Sequence, residues 1–222
     1  MAVLEPSERP FSEVQDVGVV IHKTNTGQHT GFLYRRDDGS VRVLHLAFHH
    51  ELRDDEVLEW EARVRAWFGA DLRWAELGLP EDSKIVFAAH LSQILLGNPQ
   101  IPYGLDAGGT IFTADGKFVR GPVGKGLTCA TFIAAVLAGY GHPVVMGNWP
   151  SRPEDKEWAE QIISMLEGRA NQEHIDAIKA DIGASRYRPG EVVGAAVRPL
   201  PDWPVSFSDA VALAEEILQE LS

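Results

Sequence analysis

Asp37-Asp38-Gly39 lies between two β-rich runs, His29-Thr-Gly-Phe-Leu-Tyr-Arg35 and Ser40-Val-Arg-Val-Leu-His-Leu-Ala-Phe48. Two such runs around so short a break predict an antiparallel hairpin. An Asp-Asp-Gly loop suits a type I turn followed by glycine in the left-handed conformation, which a residue without Cβ adopts freely. With a three-residue loop, Arg36 pairs with Ser40 and His29 faces Ala47. His45 is then the diagonal neighbour of His29 on the same sheet face. A two-residue turn would instead send His45 to the opposite face, because strand side chains alternate.

Around this hairpin the pattern predicts an α+β chain. Asp16 to His22 reads as a short strand. Val57, Trp60, Val64, Trp67 and Phe68 recur at helical spacing over about 54–68. A second helix is expected over 81–96, with Pro80 at its start and Gly97-Asn98-Pro99 at its end. Residues 97–127 form a Gly- and Pro-rich stretch with a small hairpin expected around Ala114-Asp-Gly116. Long loops of this kind inside a domain are commonly functional. Thr128 to Ala138 reads as an apolar helix closed by Gly139 and Gly141. Two polar-faced helices follow at about 154–167 and 172–182, then a strand at 188–197. A final helix is expected with Ser208 as N-cap. Residues 1–12 read as loose. Strands early and late, with helices between them, suggest α+β rather than a regular βαβ series. A length of 222 residues suits a single domain.

Composition narrows the function classes. The 32 acidic and 20 basic residues give a net charge of −12, which argues against a broad phosphate-binding face and against a polybasic membrane anchor. No apolar stretch is long enough to span a bilayer, and the N-terminus lacks the basic start and apolar run of a secretory signal. The expectation is a cytoplasmic protein, with signal-independent export as the alternative. A single cysteine, Cys129, excludes an intrachain disulfide and a Cys-rich zinc site.

Cys129 sits in Lys125-Gly-Leu-Thr-Cys-Ala-Thr-Phe-Ile133, at the expected start of the apolar helix. A thiol in a first helical turn sees the positive end of the dipole, which favours thiolate, and unpaired backbone N–H groups there can bind an oxyanion. The bland alternative is a small buried residue at the foot of a core helix.

Ile101-Pro-Tyr-Gly-Leu-Asp-Ala-Gly-Gly109 followed by Gly126-Leu-Thr-Cys-Ala-Thr-Phe132 resembles the NlpC/P60 cysteine peptidase signature. Thr128 stands where that family usually has Asp, and Ala130-Thr131 replaces Ser-Gly. Upstream, Gly27-Gln-His29-Thr-Gly-Phe-Leu-Tyr34 resembles the family's His-x-Gly-Ile-Tyr strand, and Val14-Gln-Asp16-Val-Gly-Val-Val20 resembles the strand before it. Histidine strand before cysteine helix is the order of the circularly permuted group that includes lecithin:retinol acyltransferase-like proteins.

The resemblance implies a papain-like core over about 14–48 and 99–140. One domain would span 1–222, with a helical insertion at about 52–97 and a C-terminal helical extension at about 150–222. It implies Cys129 as nucleophile, His29 as base and a third polar residue from the next strand. His45 is the candidate there, with His49 the alternative. Tyr103 and Thr128 are the candidate substrate-binding residues, Tyr103 by lending a hydroxyl beside the thiol. The expected activity is that of a cysteine peptidase or amidase, or an acyl transferase, acting on a peptide, amide or lipid-ester substrate without a cofactor.

Two other readings compete. His45-Leu-Ala-Phe-His-His-Glu51 could ligate a divalent metal. Alternatively the fold is a non-catalytic interaction module, meeting a protein partner through the helices that carry Trp60, Trp67 and Trp74, whose seven-residue spacing suggests one packed face.

Overall fold

The computed structural model describes residues 4–5, 9–147 and 149–221, and the hairpin forms in it as the loop chemistry predicts. Val17–Thr24 (β1) pairs with Gly27–Arg35 (β2), which pairs in turn with Val41–Phe48 (β3). Phe32 faces Leu44 and Tyr34 faces Arg42, the register of the three-residue loop. Arg36 N–H donates to Ser40 O at 2.9 Å, and Gly39 takes φ 81°.

Two further strands complete the sheet. Glu51–Glu56 (β4) adds to the β3 edge, and the helix expected from residue 54 begins at Val57 (α1, Val57–Phe68). Arg73–Glu76 (β5) adds to β1. All neighbours in the order β4-β3-β2-β1-β5 are antiparallel. β4 has almost no β-forming side chains. What holds it is pairing with β3 plus Asp54, which accepts from Tyr34 Oη (2.8 Å) and Arg42 Nε (3.2 Å). Charged residues suit a sheet edge. The segment 52–97 thus supplies two strands as well as two helices.

The three tryptophans do not share a face. Trp60 is buried on α1, Trp74 is buried in β5, and Trp67 is 61% exposed. Nor is the described part of the N-terminus loose: Leu4 is buried, Glu5 N–H donates to Trp74 O at 2.6 Å, and Phe11 packs on the Trp74 ring. Residues 1–3 and 6–8 lie outside the described residues.

Glu81–Leu96 (α2) has the expected bounds, and Ile111–Phe112 (β6) pairs with Phe118–Val119 (β7) around the expected turn. Then follow Cys129–Gly139 (α3), Asp155–Leu166 (α4), Gln172–Lys179 (α5), Pro189–Ala196 (α6) and Phe207–Glu220 (α7). The strand expected at 188–197 is therefore a helix. Pro189 occupies its first turn, and Glu191 accepts the Arg188 N–H at 2.7 Å, a helix-start arrangement that outweighs the local β character. A Cβ at Gly194 would lie 2.7 Å from Leu213 Cβ, so the glycine lets α7 pack closely. The N-cap of α7 is Ser206 rather than Ser208.

The sheet is covered on both faces. Val20, Leu33 and Val43 pack with Val57, Trp60 and Val64 of α1. Val19, Phe32, Leu44 and Leu46 face the larger core built with α2, α3 and α6. Among the described residues no helix is long and apolar enough to cross a membrane.

Candidate functional site

The hairpin register brings two histidines together. His29 Nε2 lies 2.8 Å from His45 Nδ1. Gly31 makes room for this pair, since a Cβ there would fall 2.7 Å from His45 Cβ. His45 Nε2 lies 3.0 Å from Asp55 Oδ2, and Arg63 of α1 holds the other carboxylate oxygen at 2.9 Å. Asp55 sits diagonally across from His45, because His45 faces Arg53 and Val43 faces Asp55.

This chain assigns the protons. An ionised carboxylate only accepts, so His45 Nε2–H donates to Asp55. His45 Nδ1 is then bare and accepts from His29 Nε2–H. His29 is left with a free lone pair on Nδ1, the atom a general base needs. Burial would raise Asp55, but the hydrogen bond and charge of His45 and the Arg63 guanidinium hold it below the usual carboxylate value. Burial drives His29 well below an ordinary histidine, with the charges of His45 and His22 adding to the effect. Burial also lowers His45, against the pull of Asp55.

The surroundings are aromatic. The Trp60 ring centroid lies 4.7 Å from that of His45 and 6.1 Å from that of His29. His22, facing His29 from β1, has its ring centroid 5.6 Å away and donates Nδ1–H to Lys23 O at 2.7 Å. Burial lowers His22 to about 4.

Cys129 opens α3, and Thr128 is its N-cap. Thr128 N–H donates to Thr131 Oγ1 at 2.7 Å, while Thr128 Oγ1 accepts the Thr131 N–H at 3.2 Å. The Thr128 hydroxyl, expected at a substrate subsite, is thus committed to the helix and does not line the cavity. Glycine is required just before it: a Cβ at Gly126 would come 2.2 Å from Pro102 O, where the 102–106 and 126–127 segments lie side by side. Cys129 is buried, 5% exposed as a residue. Burial pushes it above an ordinary cysteine, against the Thr30 N–H, the charge of Arg186, and the N–H groups of Ala130 and Cys129 itself. The expected preference for thiolate is therefore overturned at rest, because desolvation exceeds the helix-end donors.

A cavity of about 380 Å³ joins these groups. His29, His45, Tyr103 and Cys129 line it, with Trp60, Trp67 and Phe68 from α1 and Trp158 and Met165 from α4. The histidines rise from the α1 face and Cys129 heads a helix on the other face. Both line the cavity near the start of β2, where the Thr30 backbone stands beside the thiol. Tyr103 packs on Phe48, ring centroids 4.9 Å apart. Its N–H donates to His49 Nδ1 at 3.1 Å, and its carbonyl accepts from His174 Nε2 at 2.9 Å. Burial raises its hydroxyl far above the usual phenol range, so it remains a donor.

His49 and His50 occupy the β3–β4 turn, with His50 at φ 59°, and do not converge with His45. His49 points to Tyr103 instead. Among the described residues no group of three His, Cys, Asp or Glu side chains is arranged to hold a metal ion.

Among the cavity residues that escaped the sequence reading of the site are His22, Gln28, Arg53, Arg63, Trp158 and Arg186, along with Asp55 behind the cavity. Gln28 Oε1 accepts the Gly190 N–H at 3.0 Å, leaving its buried Nε2 donor without a partner. Strand alternation would have found Asp55 had residues 51–56 been read as a strand. Comparison with protein-family models, curated proteins and solved structures found no match.

Proposed function

We propose that the chain is a thiol hydrolase or acyl transferase of the permuted NlpC/P60 type, acting on an amide or ester bond through Cys129, His29 and His45. The observation that supports it most is the ordered chain Asp55–His45–His29, which leaves a bare Nδ1 on a histidine sharing a cavity with the only thiol.

Both groups are neutral at rest, so the proton moves as the bond forms. Cys129 Sγ attacks the carbonyl carbon while His29 Nδ1 takes the thiol proton. The developing oxyanion faces the Cys129 N–H, with the unpartnered Gln28 Nε2 as a second donor. His29 then returns the proton to the departing nitrogen or oxygen, leaving a thioester on Cys129. Water or an acceptor, deprotonated by His29, attacks the thioester and regenerates the thiol. The imidazolium formed on the way is stabilised through His45 by the charge of Asp55.

The test is alkylation with iodoacetamide at neutral pH, located by mass spectrometry. His29→Ala should slow modification of Cys129 by about 10²-fold or more, the usual size of a positioned base's effect. Undiminished labelling would show that His29 does not activate the thiol, and the proposal would be withdrawn.

A further inference from the structure

The cavity around Cys129 departs from the rest of the protein in charge. Acidic residues outnumber basic ones 32 to 20 in the chain, yet the cavity is lined by Arg53, Arg63 and Arg186 and, among the described residues, by no Asp or Glu. Two of these arginines have partners of their own. Arg63 holds Asp55 at 2.9 Å, and Arg53, itself half exposed, bonds Glu51 at 2.8 Å.

Arg186 is different. Its guanidinium carbon lies 3.6 Å from the Trp158 ring centroid, and its side chain is largely buried. Its carboxylate contact is Asp155 at 3.2 Å, and that same carboxylate serves Arg152 at 3.0 Å and Arg188 at 2.9 Å. Arg152 and Arg188 each have a second carboxylate, Glu191 and Glu154 respectively, whereas among the described residues Asp155 is the one carboxylate that meets Arg186, through a single guanidinium nitrogen. Stacking on an indole satisfies the face of a guanidinium and leaves its edge free for the two parallel hydrogen bonds that a carboxylate accepts. The same wall of α4 supplies Ile162 and Met165 to the cavity. At about 380 Å³ the space is near the lower end of small-ligand sites, roughly 300–1,000 Å³.

Resting on the reading of Cys129 as nucleophile, we infer that the substrate carries a carboxylate near its scissile amide or ester, held by Arg186, with an apolar group against Trp158, Ile162 and Met165. An N-acylated amino acid or the C-terminal end of a short peptide has this chemistry. A neutral lipid ester does not.

The experiment is a titration of the full chain with N-acetylphenylalanine and with its neutral amide, read by tryptophan fluorescence. The acid should bind about tenfold tighter or more, the size of one hydrogen bond to a charged group. Arg186→Gln should abolish that preference. Phenylglyoxal modification mapped by mass spectrometry needs no variant and covers the case in which Arg186→Gln fails to fold. There the acid should protect Arg186 and the amide should not. Equal binding of acid and amide, no binding of either, a preference that survives Arg186→Gln, or no protection of Arg186 overturns the inference. Neither readout uses the thiol. Acid preference without His29-dependent labelling would remove the hydrolase reading alone, and the reverse pattern would remove this one alone.

Discussion

At the scale of single residues, the carboxylate of Asp55 decides which nitrogen of His29 is bare, two hydrogen bonds away. Asp55→Asn tests this more sharply than truncation. An amide can donate to His45 Nε2 as well as accept from it. When it donates, His45 carries its proton on Nδ1, and His29 must turn a lone pair toward it and place its own proton on Nδ1. That tautomer is no base. Asp55→Asn should therefore slow iodoacetamide labelling of Cys129 at pH 7 by about tenfold or more, approaching His29→Ala, although the side chain keeps its shape. Labelling unchanged in Asp55→Asn would separate the carboxylate from the thiol. The pH profile carries a second expectation. His29 titrates well below 6.5 and Cys129 above 9.0, so the base stays in its neutral, active form below pH 6.5. The labelling rate should hold a plateau extending below that value and climb again only as the thiol itself ionises in alkali. In His29→Ala the plateau should vanish and the alkaline rise remain. A wild-type rate falling off with a midpoint near 6.5 would mean that His29 is hydrated like a surface histidine.

At the scale of elements, α3 and the segments before it hold the thiol in place. The Thr128–Thr131 cap satisfies the first turn of α3, and Gly126 lets residues 102–106 lie against 126–127. Thr128→Ala should cost about 1 kcal/mol, a lowering of Tm by roughly 2–4 °C in a chain of this size. Gly126→Ala should cost more, since its methyl meets a backbone carbonyl that cannot move alone; a neutral Gly126→Ala in thermal unfolding would contradict the close packing. These elements were also the legible ones. The 37–39 loop set the register that joins His29 to His45, and the glycines around Cys129 announced a helix start, because turn and cap chemistry is local. β4 was not legible, since Glu51-Leu-Arg-Asp-Asp-Glu56 becomes a strand only through its pairing with β3. Asp55 was lost with it, because the expected helix from residue 54 gives it no relation to His45. The α6 segment misled for a related reason: buried nearly all round, its Val-Val-Gly-Ala-Ala run has no polar face to reveal a helical period. Arg186 lies in an irregular segment, and its place over Trp158 depends on packing among α4, α6 and the loop between α5 and α6.

At the scale of the whole molecule, acid sets two opposing effects against each other. The chain carries a net charge of −12 at pH 7 and has a pI near 5.1. Lowering the pH toward 5 therefore relieves self-repulsion and, by that effect alone, stabilises the fold. The buried histidines act the other way. His22 is lowered from 6.5 to about 4, and His29 is lowered well below 6.5, both first by burial. Between those values and 6.5 the unfolded chain binds protons that the folded chain refuses, so stability is complete above pH 6.5 and falls as the pH drops toward 4. At about 1.36 kcal/mol per pH unit, His22 alone removes roughly 2 kcal/mol by pH 5 and roughly 3 by pH 4, and His29 adds in the same direction. Exposed charges are screened over about 8 Å at physiological salt, whereas buried rings are not. The histidines should therefore win. Urea unfolding at constant ionic strength should show a midpoint that falls from pH 7 to pH 5 with an unchanged slope. His22→Phe, which keeps a ring against Trp60 and Phe68 but cannot take a proton, should flatten that fall. A midpoint that instead rises toward pH 5 would mean that surface repulsion governs this fold and that the cavity histidines are open to water.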